Sequence, residues 1–122
     1  MNGQTIFVFG SNLAGRHGKG AALVAARQWQ AQRGVGEGRT GYAYAIPTKD
    51  SRMKVRSLKD IHLSVLRFRD YARAHPELQF YVTRVGCGLA GYKDEDIAPM
   101  FADAPHNCDL PMGWRMLAGM IQ

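Results

Sequence analysis

Thr5-Ile6-Phe7-Val8-Phe9 runs into Gly10-Ser11-Asn12-Leu13-Ala14-Gly15-Arg16-His17-Gly18-Lys19-Gly20 and then into the alanine-rich stretch Ala21 to Ala26. The unbroken run of β-formers from Thr5 to Phe9 predicts a buried strand. Ala21, Ala22, Ala25 and Ala26 predict a helix from Lys19 to about Arg33, with Ala22, Ala25 or Ala26, and Trp29 on its apolar face. A glycine loop feeding a helix N-terminus offers free backbone N–H groups and the positive end of the helix dipole to an anion. The competing reading is that Gly18 and Gly20 serve only turns and close helix packing. The length and polarity of the loop favour a ligand.

The same unit recurs. Leu78 to Val85 predicts a strand, Gly86-Cys87-Gly88-Leu89-Ala90-Gly91-Tyr92 a tight loop, and Asp94-Glu95-Asp96-Ile97-Ala98 a helix start, with the segment from Tyr92 to about Ala102 read as loop then helix. Between the two units, Gly34 to Gly41 reads as a loop and Tyr42 to Ile46 as a strand ended by Pro47. Thr48 to Arg56 is a loop. Ser57, with Asp60 three residues on, caps a helix whose Leu58, Ile61, Val65, Phe68 and Ala72 recur at threes and fours and which stops before Pro76. Leu110 to Trp114 reads as a short edge strand and Trp114 to Met120 as a last helical turn or two.

The order β-α-β-α-β-α predicts one α/β domain over residues 1–122, a three-layer α/β/α sandwich on a mostly parallel or mixed sheet. Ligands of such sheets bind at the carboxyl ends of the strands. Both glycine loops and Pro47-Thr48-Lys49-Asp50 would meet there in one pocket.

A chain of 122 residues with 46% hydrophobic content can build one ordinary core. The longest apolar run is far short of a membrane span, and no basic region with a long apolar core opens the chain. The expectation is a cytoplasmic protein with no membrane partner. Cys87 and Cys108 are the only cysteines and lack metal-type spacing, so reduced thiols are favoured. His17, His62, His75 and His106 stand far apart, so neither metal nor cofactor is expected. The net charge of +6 suits a nucleic acid or a small phosphorylated ligand. Arg67, Arg69 and Arg73 along one helix read as a solvated face, which disfavours the nucleic acid.

The first loop is not a phosphate loop of the Walker type: Gly10 and Gly15 are correctly separated, but Arg16-His17 replaces the lysine and hydroxyl residue. Asn12 suits either a turn or a sugar hydroxyl. Cys87 is either a nucleophile or a small side chain in a tight loop, and no base lies near it in sequence. Lys49, just past a strand end, is a phosphate partner, a nucleophile toward a sugar carbon, or a surface lysine.

Gly86-Cys87-Gly88-Leu89-Ala90-Gly91-Tyr92 resembles the second ligand loop of macro domains, the ADP-ribose-binding modules, and Arg84-Val85-Gly86-Cys87-Gly88-Leu89 is most like the terminal ADP-ribose protein glycohydrolase branch. Asn12 to Ala22 is similar to that family's first loop, and Gly41 to Lys49 to its middle strand. The chain also resembles small bacteriophage non-structural proteins in Phe-Gly-Ser-Asn-Leu-Ala-Gly-Arg-His-Gly, Ile-Pro-Thr-Lys-Asp and Ile-Ala-Pro-Met-Phe.

The resemblance implies a macro-domain-like fold and binding of ADP-ribose or a related NAD-derived nucleotide. Gly10, Ser11, Asn12, Gly18, Lys19, Gly20 and Ala21 would line one side, Thr48 the floor, and Gly86, Cys87, Gly88, Leu89, Ala90, Gly91 and Tyr92 the other, with Asn12 and Tyr92 beside the distal ribose. Lys49 matches the lysine that attacks the ribose in the glycohydrolase branch, but Ala90 stands where that branch carries its aspartate. Macro domains also begin with a further strand pair and an adenine-reading aspartate, so an N-terminally shortened version is expected, with Asn107 to Trp114 left to meet the base. The expected function is nucleotide binding, with sequestration of a signalling nucleotide for a phage as its use. The alternative is an ADP-ribosyl hydrolase, or an ADP-ribose-phosphate phosphatase, using Lys49 or His17.

Overall fold

Five strands form one mixed sheet in a computed structural model that describes residues 4–120. β1 (Thr5–Asn12) lies at its centre, paired in parallel with β3 (Ala43–Lys49) on one side and β4 (Gln79–Val82) on the other. β2 (Gly38–Thr40) runs antiparallel along β3, and β5 (Cys108–Asp109) runs parallel along β4. The order is therefore β2-β3-β1-β4-β5.

β1 sends alternate side chains to opposite faces. Ile6 and Val8 enter the larger core, where α2 (Leu58–Ala74) contributes Ile61, Val65, Phe68 and Ala72. Phe7 and Phe9 enter a smaller cluster with Ala22 and Ala25 of α1 (Gly20–Gln28) and Ala43 and Ala45 of β3. The small residues of α1 let it lie close to the strand. α3 (Asp94–Ile97), the 3-10 turn Ala98–Phe101 and α4 (Trp114–Met120) complete the larger side, where Phe101 and Trp114 are buried. Helices thus cover both faces, but the second layer is α1 alone, and Tyr81 beyond it stays half exposed, its ring stacked on Phe7. No helix of the described residues is long and apolar enough to cross a membrane.

Several predicted boundaries move, each for a physical reason. β1 continues through Gly10, Ser11 and Asn12, so these belong to the sheet and not to a loop. β3 continues through Pro47 to Lys49. The missing N–H of Pro47 is tolerated because β2 pairs only as far as Ala45 and the β1–β3 register shifts between Ser11 and Asn12. α1 stops at Gln28, since Gln30 takes a positive φ of 62°. β4 is shorter than Leu78–Val85 because Val85 turns back to bond the Thr83 carbonyl at 2.7 Å. The last edge strand is Cys108–Asp109, not Leu110–Trp114. Part of the expected Gly34–Gly41 loop is β2. Ser57 caps α2 as predicted, accepting the Asp60 N–H at 3.1 Å.

The first glycine loop is pressed onto the 34–36 segment. Gly34 N–H donates to the Gly15 carbonyl at 2.9 Å, and Ser11 Oγ donates to the Gly36 carbonyl. A Cβ on Gly36 would stand 2.4 Å from the Asn12 carbonyl oxygen and 2.8 Å from Leu13 Cα. Gly36→Ala is therefore expected to cost about 1–3 kcal/mol, read as a lower urea midpoint with unchanged slope. Gly18, where an added Cβ meets nothing within 4 Å, supplies the control, and Gly18→Ala should stay within about 0.5 kcal/mol of wild type.

Candidate functional site

The carboxyl ends of β1, β3 and β4 open into a cleft of about 760 Å³, in the size range of small-molecule sites. Three chain segments wall it. The first runs from Gly10 to Ala22 and contributes Gly10, Ser11, Asn12, Arg16, Gly18, Lys19, Gly20, Ala21 and Ala22. The second gives Thr48, Lys49 and Met53, and the third gives Thr83, Arg84 and Gly86 through Ala90. The sequence-predicted Gly10, Ser11, Asn12, Gly18, Lys19, Gly20, Ala21, Thr48, Lys49, Gly86, Cys87, Gly88, Leu89 and Ala90 are all brought together here. Arg16, Ala22, Met53, Thr83 and Arg84 are lining residues that sequence reasoning missed.

The wall around α1 carries unpartnered backbone donors and basic side chains. α1 has no side-chain cap and no acid in its first turn, and its first internal bond is Leu23 N–H to the Lys19 carbonyl at 3.2 Å. The N–H groups of Gly20, Ala21 and Ala22 are thus left over at the helix start. Across the cleft, Gly91 N–H closes a turn on the Gly88 carbonyl at 3.0 Å and Tyr92 N–H bonds the Gly86 carbonyl at 2.9 Å. The N–H groups of Gly88, Leu89 and Ala90 have no acceptor among the described residues. Arg16, Lys19 and Lys49 line the cleft without an ion pair among the described residues, and no Asp or Glu lines it.

Other polar groups in the lining are already engaged. The Asn12 amide closes its own loop, accepting the Arg16 N–H at 2.9 Å and donating to the Arg16 carbonyl at 2.8 Å. Ser11 Oγ is taken by Gly36, and Thr48 Oγ1 donates to the Ser11 carbonyl at 3.3 Å. Arg84 forms a two-pronged bond to Asp94 at 2.9 and 3.0 Å. Asp94 also accepts the Trp114 indole N–H at 2.8 Å, so it ties the start of α3 to the end of β4 and to α4. Arg84 and then Trp114 hold its carboxyl below the usual range. Asp94, read from sequence only as part of a helix start, is therefore a tether. Asp96 serves the helix start by accepting the Lys93 N–H at 3.0 Å.

Burial, with Asp94 adding to it, pushes the Cys87 thiol up to about 11, which removes the thiolate a nucleophile needs. Cys87 is a half-buried side chain in a tight loop. The two thiols are free.

Three expectations change. Gly91 and Tyr92 do not line the cleft. Tyr92 packs toward the larger core, and its hydroxyl donates to the Arg56 carbonyl at 2.8 Å, so it fastens the second glycine loop to the β3–α2 connection. Nor does the Asn107–Trp114 tail reach the cleft. The Asn107 amide bonds the carbonyls of Ala72, His75 and Leu78 at 3.1 to 3.2 Å, closing the end of α2. His17, a catalytic candidate of the hydrolase alternative, does not line the cleft. It is 2% exposed, its ring edge-on to Phe9 at 5.4 Å, under the loop. The helix arginines are tied down as well: Arg67 to Glu37 at 2.6 Å, Arg69 to Asp70 and Asp103.

Comparison with protein-family models, with curated proteins and with solved structures finds no match to the chain. What fold and site define is an α/β domain with a basic cleft at the carboxyl edge of its sheet.

His17 gives a test of its structural role. Neither ring nitrogen makes a hydrogen bond of acceptable geometry among the described residues, and burial, then the Arg33 charge, outweighs the nearby Val35 backbone group and holds the imidazole below its ordinary 6.5. The unfolded chain therefore takes up this proton first. Stability is whole above 6.5 and falls as pH drops toward the depressed folded value. His17→Leu should lose less stability than wild type between about pH 7.5 and pH 5, measured by urea midpoints. Identical slopes would show that the buried ring plays no part in acid sensitivity.

Proposed function

We propose that the cleft binds ADP-ribose or a related NAD-derived nucleotide and holds it unchanged. The observation that carries this reading is the pairing of two sets of unspent backbone N–H groups, at Gly20 to Ala22 and at Gly88 to Ala90, across a cleft lined by Arg16, Lys19 and Lys49 and by no carboxylate. N–H groups left unspent on two walls suit a pyrophosphate, whose oxygens accept from both sides. The sequence resemblance to macro domains supplies the nucleoside part of the proposal and the macro-like character of the sandwich.

The hydrolase reading has one point in its favour. Lys49 lines the cleft, where a lysine could attack a ribose carbon. Departure of the leaving group needs a proton donor, and Ala90 stands where the glycohydrolase branch that the sequence resembles carries its acid. With no Asp or Glu in the lining and His17 outside it, binding is the reading favoured.

Gly88 provides the test. Its backbone lies outside the positive-φ region and a Cβ there meets nothing within 4 Å, so a larger side chain leaves the fold intact and enters the open cleft. Gly88→Val should weaken ADP-ribose binding roughly 10-fold or more, because the isopropyl group would hold a phosphate off this wall and forfeit about one charge-assisted hydrogen bond, with little change in Tm. Full affinity in this variant would remove the second glycine loop from the site. Ligand recovered from wild type should be chemically intact. Turnover abolished by Lys49→Ala would replace the binder with the hydrolase.

A further inference from the structure

The chain segment that carries Lys49 into the cleft continues as a tight hairpin. Lys49 pairs with Val55, Asp50 N–H donates to the Lys54 carbonyl at 2.8 Å, and Met53 N–H donates to the Asp50 carbonyl at 3.1 Å. Asp50 Oδ1 accepts the N–H groups of Arg52 at 2.8 Å and Lys54 at 2.9 Å. This is a three-residue hairpin loop, Ser51 to Met53, whose last position takes the left-handed conformation normally given to glycine. Met53 occupies it at φ 68°. An L side chain there costs about 1–2 kcal/mol. A chain with 14 glycines has a methionine where the turn favours one. Gln30 is the other described non-glycine residue at positive φ, and it lies at the end of α1, away from the cleft.

The N–H groups of residues 50, 52, 53 and 54 are all spent inside the hairpin. Met53, the hairpin residue that lines the cleft, therefore offers a phosphate no backbone donor. What it adds to the cleft is its side chain. Leu89, 64% exposed, is the other large apolar side chain of the lining.

We propose that Met53 is a specificity-determining contact: its thioether, held in the cleft lining by the Asp50 turn, is the apolar seat for a ring-bearing end of the ligand. This rests on the nucleotide reading of the cleft. A flexible thioether makes favourable contact with an aromatic ring. Backbone strain kept at a ligand-facing position is stability given up for the placement of that side chain. With the Asn107–Trp114 tail outside the cleft, this hairpin supplies a surface for a base that the tail does not.

The test compares wild type with Met53→Gly and Met53→Asn, both suited to a left-handed residue. Tm is read alongside the Kd of ADP-ribose and of ribose 5-phosphate, which lacks a ring. Both variants should keep or raise Tm, weaken ADP-ribose about three- to tenfold, and change ribose 5-phosphate less than about twofold. A fall in Tm in both variants would mean that Met53 is kept for packing, and the proposal is overturned. It is equally overturned by unchanged ADP-ribose affinity, or by equal loss for both ligands. Wild type that binds neither compound would remove the nucleotide reading itself, and the seat with it.

Discussion

β1 is buried on both faces, and the parallel pairing it makes with β3 and β4 brings three loops to one edge of the sheet. Its alternating Ile6, Phe7, Val8 and Phe9 feed two separate cores, so neither register nor direction of the strand can slip without exposing one of them. Parallel pairing on either side means that all three strands end at the same edge. The glycine loops are 66 residues or more apart in sequence, counted from Gly20 to Gly86, yet they become opposite walls because their strands flank one another. The cleft is a consequence of sheet topology, and the loops add its chemistry.

That chemistry rests on which backbone groups are used and which are left. The fold engages the side chains of Ser11, Asn12, Thr48, Arg84 and Tyr92 in fastening the walls: to Gly36, to the Arg16 backbone, to Ser11, to Asp94 and to Arg56. With the walls fixed by these bonds, the N–H groups at the start of α1 and at Gly88 to Ala90 stay free of internal partners. Walls fastened in this way, with donors left unspent, suit the proposed anion site, since a ligand would not need to order the loops to reach them. Asp94 contributes at a distance by joining Arg84, α3 and Trp114, which keeps the second glycine loop anchored at both ends.

Much of this was readable from the residues. Apolar runs marked β1, β3 and β4, the Ser57–Asp60 pair marked the start of α2, and glycine-rich joins marked two walls of the cleft. Strand lengths were misjudged because Gly10 to Asn12 and Pro47 carry weak strand preference and are held in the sheet by pairing, which is a tertiary effect. Tyr92 and His17 went astray for a related reason. Sequence position put both in glycine loops, but direction along the loop decides whether a side chain faces ligand or core, and both turn inward. Met53 carried no signal at all, since what singles it out is a φ value that no side-chain pattern reports. The macro-domain likeness remains a proposal that the two-walled geometry supports.

Amide resonances followed during titration with ADP-ribose test the central claim most directly. Binding between the two walls predicts saturable shifts at Gly20, Ala21 and Ala22 together with Gly88, Leu89 and Ala90, while β5 and α4 stay unmoved. Saturable shifts confined to one wall, or centred on the Cys108–Trp114 edge, would contradict it, as would no response at saturating nucleotide.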